Sequence, residues 1–249
     1  NNQKGEIIGY SHASICYWDL RKFFSSNTLK NPQLPYPDKI ALNGKLAKSI
    51  FSSNLIDKKR LIDIEATRYL YINNLNSENK VFTKKRSSSA FNKKFLLVLF
   101  DYNDKFIKKQ LGILSDINKY LDKYYLVKLK PHPAKIEFFR KINQLNYEVI
   151  YDSIDNIIDE VDLVFTSNTT SAALEFICLG KYVISLCDNN ELNCSPLRNY
   201  KDALFVYDSK QFEKALRNFR LNKFYNPKRN NNIFYLNRRI PGWLRLLKQ

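Results

Sequence analysis

Asp162-Leu-Val-Phe-Thr-Ser-Asn-Thr-Thr-Ser-Ala-Ala-Leu-Glu175 runs from an apolar, β-branched and aromatic stretch into five consecutive polar residues and then into helix formers. An unbroken apolar run suits a strand buried on both faces, as in a parallel sheet covered by helices. The polar residues that follow are turn and N-cap types, so a strand leads through one tight turn into a helix. This is half of a βαβ unit.

The same alternation repeats on both sides. Downstream, strands are predicted over 182–186 and 204–207, with helices over 170–179 and 209–219. Upstream lie strands over 95–100, 125–129, 147–151 and 163–166, separated by helices over 104–121, 134–145 and 154–161. Phe212, Ala215, Leu216 and Phe219 fall on one helical face behind Asp208-Ser209, and Gly180 follows the helix before it. Strands alternating with helices in this way indicate parallel βαβ units. A second set precedes residue 75, with strands over 6–10, 39–42 and 61–64 and a helix over 44–53. Between the two sets, an Asn-, Ser- and Lys-rich stretch reads as a linker.

The expected organisation is therefore 1–75 as part of a first α/β domain, 76–94 as linker, 95–220 as a second α/β domain, and 221–249 as a basic tail with a final helix over 241–247. The sequence has no methionine and begins at Asn1, so we expect a longer protein whose preceding segment completes a truncated first domain.

The 249 residues carry 41 Lys plus Arg against 24 Asp plus Glu, a formal net charge of +17. That excess invites a nucleic-acid reading. Its distribution argues otherwise: residues 96–220 hold 17 basic and 17 acidic side chains, whereas residues 221–249 hold 7 basic and no acidic ones. Specific nucleic acid is not an expected partner. The longest apolar run, 95–100, is far short of the roughly 20 residues of a membrane-spanning helix, and no signal peptide is visible. Cys16, Cys178, Cys187 and Cys194 form no C-x-x-C pair, and neither histidine completes a zinc spacing, so no metal site is expected. A reducing, cytoplasmic setting fits.

Two motifs carry candidate chemistry. Lys128-Leu-Lys-Pro-His-Pro133 ends a predicted strand, where ligands of open α/β sheets bind. Pro131 and Pro133 restrict the backbone around His132, whose imidazole can donate to a phosphate oxygen, while Lys130 adds positive potential. The plainer reading is an exposed turn histidine. In the second motif, Ser167, Asn168, Thr169, Thr170 and Ser171 supply more hydroxyls than a helix cap needs and read as a phosphate cradle. Glu175 would then reach ribose hydroxyls or face solvent.

His132-Pro133 at one strand end, with Ser167 35 residues later at another, resembles the second domain of GT-B glycosyltransferases. Among these it is similar to the CMP-sugar-using sialyltransferases and Kdo transferases, and also to the CDP-glycerol glycerophosphotransferases. The resemblance implies an α/β, GT-B-like fold of two Rossmann-like domains with parallel sheets. It also implies that His132 and Pro133, with Ser167, Thr169 and Thr170, bind the nucleotide's phosphate and ribose.

Ile8-Gly-Tyr-Ser-His-Ala-Ser-Ile-Cys-Tyr-Trp-Asp-Leu-Arg21, Leu34-Pro-Tyr-Pro-Asp-Lys-Ile-Ala-Leu-Asn-Gly44, Ile64-Glu-Ala-Thr-Arg-Tyr-Leu70 and Ser195-Pro-Leu-Arg198 resemble a bacterial surface-carbohydrate biosynthesis family. That family usually has Gln-His where this chain has Ser11-His12. On this reading His12 and Asp19 are candidate catalytic residues, and Arg21 and Arg198 candidate substrate ligands. A satisfied histidine under Tyr17 and Trp18, and an exposed Asp19–Arg21 ion pair, are the plainer alternatives. Glu65 and Arg68 are spaced to pair with each other.

The expectation is a glycosyltransferase of surface polysaccharide assembly (lipopolysaccharide, O-antigen or capsule), moving an acidic sugar from a CMP-activated donor to a glycan or lipid-linked acceptor. No cofactor is expected beyond the nucleotide sugar as substrate. CDP-glycerol transfer and nucleotide-sugar epimerisation are the alternatives, with a basic nucleic-acid-binding protein as the rival of another class. The charged tail and linker suit an anionic inner-membrane surface, as for a peripheral protein.

Overall fold

The computed structural model describes residues 5–16, 36–52, 56–77, 93–142, 146–198, 200–201, 203–222 and 233–248. The chain divides into two compact units, one of residues 1–78 with 230–249 and the other of residues 79–229.

In the first unit, strands β1 (Ile8–Tyr10), β2 (Lys39–Leu42) and β3 (Leu61–Asp63) form a parallel sheet in that order, with helix α1 (Lys45–Ser52) joining β2 towards β3. Helix α2 (Leu70–Ser77) follows β3 and reaches past the start of the stretch read as linker. Residues 78–92 lie outside the described residues.

The last segment of the chain packs into this same unit. Tyr235 N–H donates to the Asn43 carbonyl at 3.0 Å, and the Tyr235 carbonyl accepts from Ala66 N–H at 2.8 Å, so residues 233–236 fasten the carboxyl ends of β2 and β3 together. Phe234 stacks on Tyr69 with ring centroids 4.0 Å apart. Such contact requires glycine at position 44, where a Cβ would stand 2.0 Å from the Ile233 carbonyl oxygen.

The final helix, Pro241–Leu247, is anchored by Glu65, and this corrects the expected Glu65–Arg68 pairing. The buried Glu65 carboxylate accepts from Gly242 N–H at 3.1 Å and Trp243 N–H at 3.3 Å, while Trp243 Nε1 donates to the Glu65 carbonyl at 2.9 Å. A carboxylate satisfies the orphan amides of a helix start and the positive end of its dipole together. Arg68 lies over the Tyr69 ring instead.

The second unit is one six-stranded parallel sheet built from β4 (Lys94–Leu99), β5 (Tyr125–Lys130), β6 (Glu148–Val149), β7 (Leu163–Ser167), β8 (Tyr182–Leu186) and β9 (Ala203–Val206), in the order β6-β5-β4-β7-β8-β9. The chain winds outward from β4 to β6, then returns to the far side of β4 with β7. This doubly wound order places a topological switch point between β4 and β7, where open α/β sheets bind ligands beyond the strands' carboxyl ends.

Helices cover the sheet. Phe212, Ala215, Leu216 and Phe219 of the helix Ser209–Arg220 are buried as their spacing predicts, and Phe165 of β7 stacks on Phe212 at 4.0 Å. Asp208 caps that helix by accepting from Gln211 N–H at 2.8 Å. Gly180 takes a φ of 69°, and the Lys181 N–H closes the preceding helix onto the Phe176 carbonyl at 2.9 Å, an end that favours glycine.

Four helices differ from expectation: 134–145 is a 3-10 turn, Pro133–Lys135, followed by the short helix Ile136–Arg140, and 154–161 is helical only over Ile154–Ile157. The stretch 104–121 is two helices, Asp104–Asp116 and Asn118–Tyr124, broken where the Asn118 side chain accepts a local bond from Lys119 N–H. The helix expected from residue 170 begins only at Ala173, for a reason that lies in the candidate site.

Candidate functional site

Leu99 of β4 pairs with Lys130 of β5 on one side and Thr166 of β7 on the other. Asp101, His132 and Asn168 therefore each lie two residues beyond one shared register row, on the loops around the switch point.

His132 is exposed and caps the short 3-10 turn Pro133–Lys135, its Nδ1 accepting from Ala134 N–H at 3.2 Å. An acceptor Nδ1 carries no proton, so the neutral ring is the Nε2–H tautomer and retains one donor. Tyr102, 62% exposed at the end of β4, meets the imidazole edge-on at 5.9 Å. Lys130 is half-buried and donates to the Asp152 carbonyl. Burial pushes its ammonium below the ordinary lysine value, and Asp152 and Asp155 oppose that shift. Lys128 pairs instead with Glu148 of β6 at 3.1 Å.

On the other side of the switch point, the hydroxyls converge on Asp101, which is 3% exposed. Ser167 Oγ donates to Asp101 Oδ2 at 2.5 Å, and Thr169 Oγ1 donates to the same oxygen. Thr170 Oγ1 stands 2.9 Å from Ser167 Oγ. Neither Ser167 nor Thr169 caps the helix: these hydroxyls bond Asp101, and Ala172 precedes the helix without a side-chain cap. That is why the helix starts late.

Asn168 is buried, its Nδ2 donating to the Leu192 carbonyl at 3.3 Å, which ties the β7 turn to the loop after β8. In that loop Ser195 Oγ accepts from Leu197 N–H at 3.1 Å, forming the turn on which Arg198 is exposed. Ser171 is half-buried in the β7 turn. Glu175 is 6% exposed, which corrects the solvent-facing alternative. Beside the same loop, Asp188 pairs with Lys105 at 3.3 Å and Lys109 at 3.4 Å. The Asn190 N–H, and then these lysines, hold its carboxyl below the usual carboxylate range.

In the first unit, His12 is exposed just beyond β1, on a turn held by buried Asn43, whose Nδ2 donates to the Ser11 and Ala13 carbonyls at 2.9 and 3.2 Å. Asp19 and Arg21, with Tyr17 and Trp18, lie outside the described residues. Among the described residues, no three His, Cys, Asp or Glu side chains are placed to hold a metal ion, and no helix is long and apolar enough to cross a membrane.

The sequence reading missed Asp101, Tyr102 and Asn43. The first two immediately follow the first strand of the domain, a position that by topology alone lies beside the switch point.

No protein-family model matches the chain, and no curated protein matches it. Solved structures do. UDP-GlcNAc 2-epimerase from Neisseria meningitidis, bound to UDP-GlcNAc, is similar over 97% of this chain and 70% of its own, with a TM-score of 0.63 at 13% identity. The UDP-GlcNAc 2-epimerase of Methanocaldococcus jannaschii, in complex with UDP-GlcNAc and UDP, gives 0.57 at 16% identity over 85% of this chain and 61% of its own. The wall teichoic acid polymerase TagF gives 0.54 at 16% identity over 88% of this chain and 60% of its own. The chain thus spans less than two thirds of the polymerase and of the archaeal epimerase. Together with the parallel sheets of the two units, these likenesses show a GT-B-like α/β fold of Rossmann-like units.

Proposed function

We propose that the chain is a nucleotide-sugar-dependent enzyme of surface-glycan assembly, transferring an acidic sugar from a CMP-activated donor to a glycan or lipid-linked acceptor. The observation that carries this reading is the placement of His132 and the 167–171 turn on either side of a doubly wound switch point. His132, with its backbone set by Pro131 and Pro133, offers the Nε2–H to a phosphate oxygen, and Lys130 supplies positive charge nearby. Ser167, Asn168, Thr169, Thr170, Ser171 and Glu175 line the rest of the nucleotide site. Arg198 suits a sugar carboxylate, which its planar guanidinium can grip with two bonds. His12, Asp19 and Arg21 are assigned to the acceptor side. The basic linker and tail, which carry much of the charge excess, suit an anionic inner-membrane surface.

A second reading is epimerisation of a nucleotide sugar, supported by the likeness to the Neisseria meningitidis epimerase over 97% of this chain. A third is glycerophosphate transfer from CDP-glycerol, supported by the likeness to TagF. A donor panel separates the three by product. Sugar transfer releases CMP and leaves a lengthened acceptor. Glycerophosphate transfer releases CMP only from CDP-glycerol, and epimerisation returns an intact nucleotide sugar with one inverted centre. We expect turnover with a CMP-linked acidic sugar; turnover only of a UDP-sugar to its epimer would replace the first reading by the second.

A further inference from the structure

The helix Pro241–Leu247 leaves an apolar strip in solvent although its other side is fastened. Successive residues of a helix are turned by roughly 100°. On that spacing Gly242, Leu246 and Trp243 share one arc, and they are the buried and half-buried positions. Trp243 is held there twice: its Nε1 donates to the Glu65 carbonyl at 2.9 Å, and its ring meets Tyr10 edge-on at 4.9 Å. Leu247 and Leu244 follow around the circumference, about 60° apart, and are 77% and 47% exposed. Past them come Lys248 and Arg245, both exposed. These anchors fix the rotation of the helix, so the two leucines do not turn inward.

The charge around this strip has one sign. Arg238 and Arg239 are exposed on the turn that leads into the helix, where the Asn237 side chain accepts from Arg239 N–H at 3.0 Å. Residues 221–249 contain no acidic side chain. The carboxylates of the adjoining segment are already engaged, Asp63 by Lys48 at 2.7 Å and Glu65 by the amides that start the helix. Arginine and lysine at the border of an apolar strip lay their stems along it and carry their charge outward. A nucleic acid would answer the charge but not the leucines; a bilayer containing anionic lipid answers both. Resting on the reading above that the basic tail meets an anionic membrane surface, we infer that the exposed face of Pro241–Leu247 is the element that enters it. Leu244 and Leu247 go between the lipids, while Arg238, Arg239, Arg245 and Lys248 hold the headgroup phosphates.

The test floats the whole chain with vesicles of pure phosphatidylcholine and with vesicles one-third phosphatidylglycerol, in about 0.1 M salt. Wild type should bind the anionic vesicles and leave the neutral ones largely unoccupied. Arg238→Gln with Arg239→Gln removes two cations and should weaken that binding about 10- to 30-fold. Leu244→Gln with Leu247→Gln keeps the charge and a good helix former, and should weaken it about 5- to 50-fold. Circular dichroism and the urea midpoint should stay at wild-type values, because all four side chains are exposed. Leu247→Gln alone, at the more exposed position, keeps the test open if the double variant does not fold.

Anionic-vesicle binding that the arginine variant loses and the leucine variants keep at wild-type strength overturns this inference alone, since charge without insertion then explains the attachment. Leucine variants that change the sedimentation of the protein by itself, with vesicle binding unaltered, assign the strip to a second copy of the chain and overturn it too. Wild type that floats with neither vesicle, or equally with both, removes the anionic-membrane reading and this one with it.

Discussion

Gly44→Ala tests how the last segment of the chain holds the first unit together. A Cβ at this position would stand 2.0 Å from the Ile233 carbonyl oxygen and 2.9 Å from the Phe234 Cα. Both are backbone atoms, so no rotamer change relieves the clash. Ordinary contact needs roughly 3.5 Å, so residues 233–236 must retreat by more than 1 Å on this scale. That motion takes the 3.0 Å bond from Tyr235 N–H to Asn43 and the 2.8 Å bond from Ala66 N–H to Tyr235 beyond hydrogen-bonding range. Each such bond contributes about 0.5–1.5 kcal/mol.

Ile233 and Phe234, only 1% and 3% exposed, then lose part of their burial. Full exposure would cost about 1.5–3 kcal/mol for each side chain. Losing both bonds and half of that burial gives an expected destabilisation of about 3–6 kcal/mol. Urea unfolding followed by far-ultraviolet circular dichroism measures it, and Trp243 fluorescence reports the first unit. A loss below about 1 kcal/mol would refute the close-approach argument, because ordinary surface substitutions stay within that range.

Four further outcomes follow from the same geometry. Gly112→Ala, within the helix Asp104–Asp116 and with nothing within 4 Å of the added Cβ, should stabilise by about 0.5–1 kcal/mol in the same assay. Glu65→Ala removes the carboxylate from Gly242 and Trp243 and should cost about 2–4 kcal/mol, with Glu65→Gln milder, both read by urea titration. Asp188 contributes stability present above its unfolded value of 3.8 and lost as the pH falls through its lower folded value, so Asp188→Asn should flatten the acid limb of a stability–pH profile. Burial raises Cys178 to about 12 and Cys187 to about 11, so alkylation at pH 8 should be at least about a hundredfold slower in the folded protein than in urea, followed by mass spectrometry.

Strands such as β4, β7 and β8 were legible because each is an apolar run bounded by turn residues, and a doubly wound sheet buries such runs on both faces. What sequence could not supply were contacts between distant residues. Glu65 reads locally as a partner for Arg68, yet its carboxylate caps a helix start through Gly242, 177 residues later. Gly44 looks like a helix-start residue, and only the return of Ile233 shows why a side chain is excluded. At the site, His132 and the 167–171 turn were visible as motifs at strand ends. Asp101 was not, because its hydroxyl partners lie 66 and 68 residues away across the β4–β7 pairing. The late helix start at Ala173 has the same origin: local spacing suggests a cap, whereas a distant carboxylate takes the hydroxyls.

In the proposed function a cytidine nucleotide binds at the β4–β7 switch point with its phosphate on His132. Calorimetric titration of CMP into wild-type protein and into His132→Ala tests it most directly. Wild type should bind CMP saturably and the variant should lose that binding, with circular dichroism unchanged because His132 is exposed. Equal CMP affinity in the two proteins would contradict it.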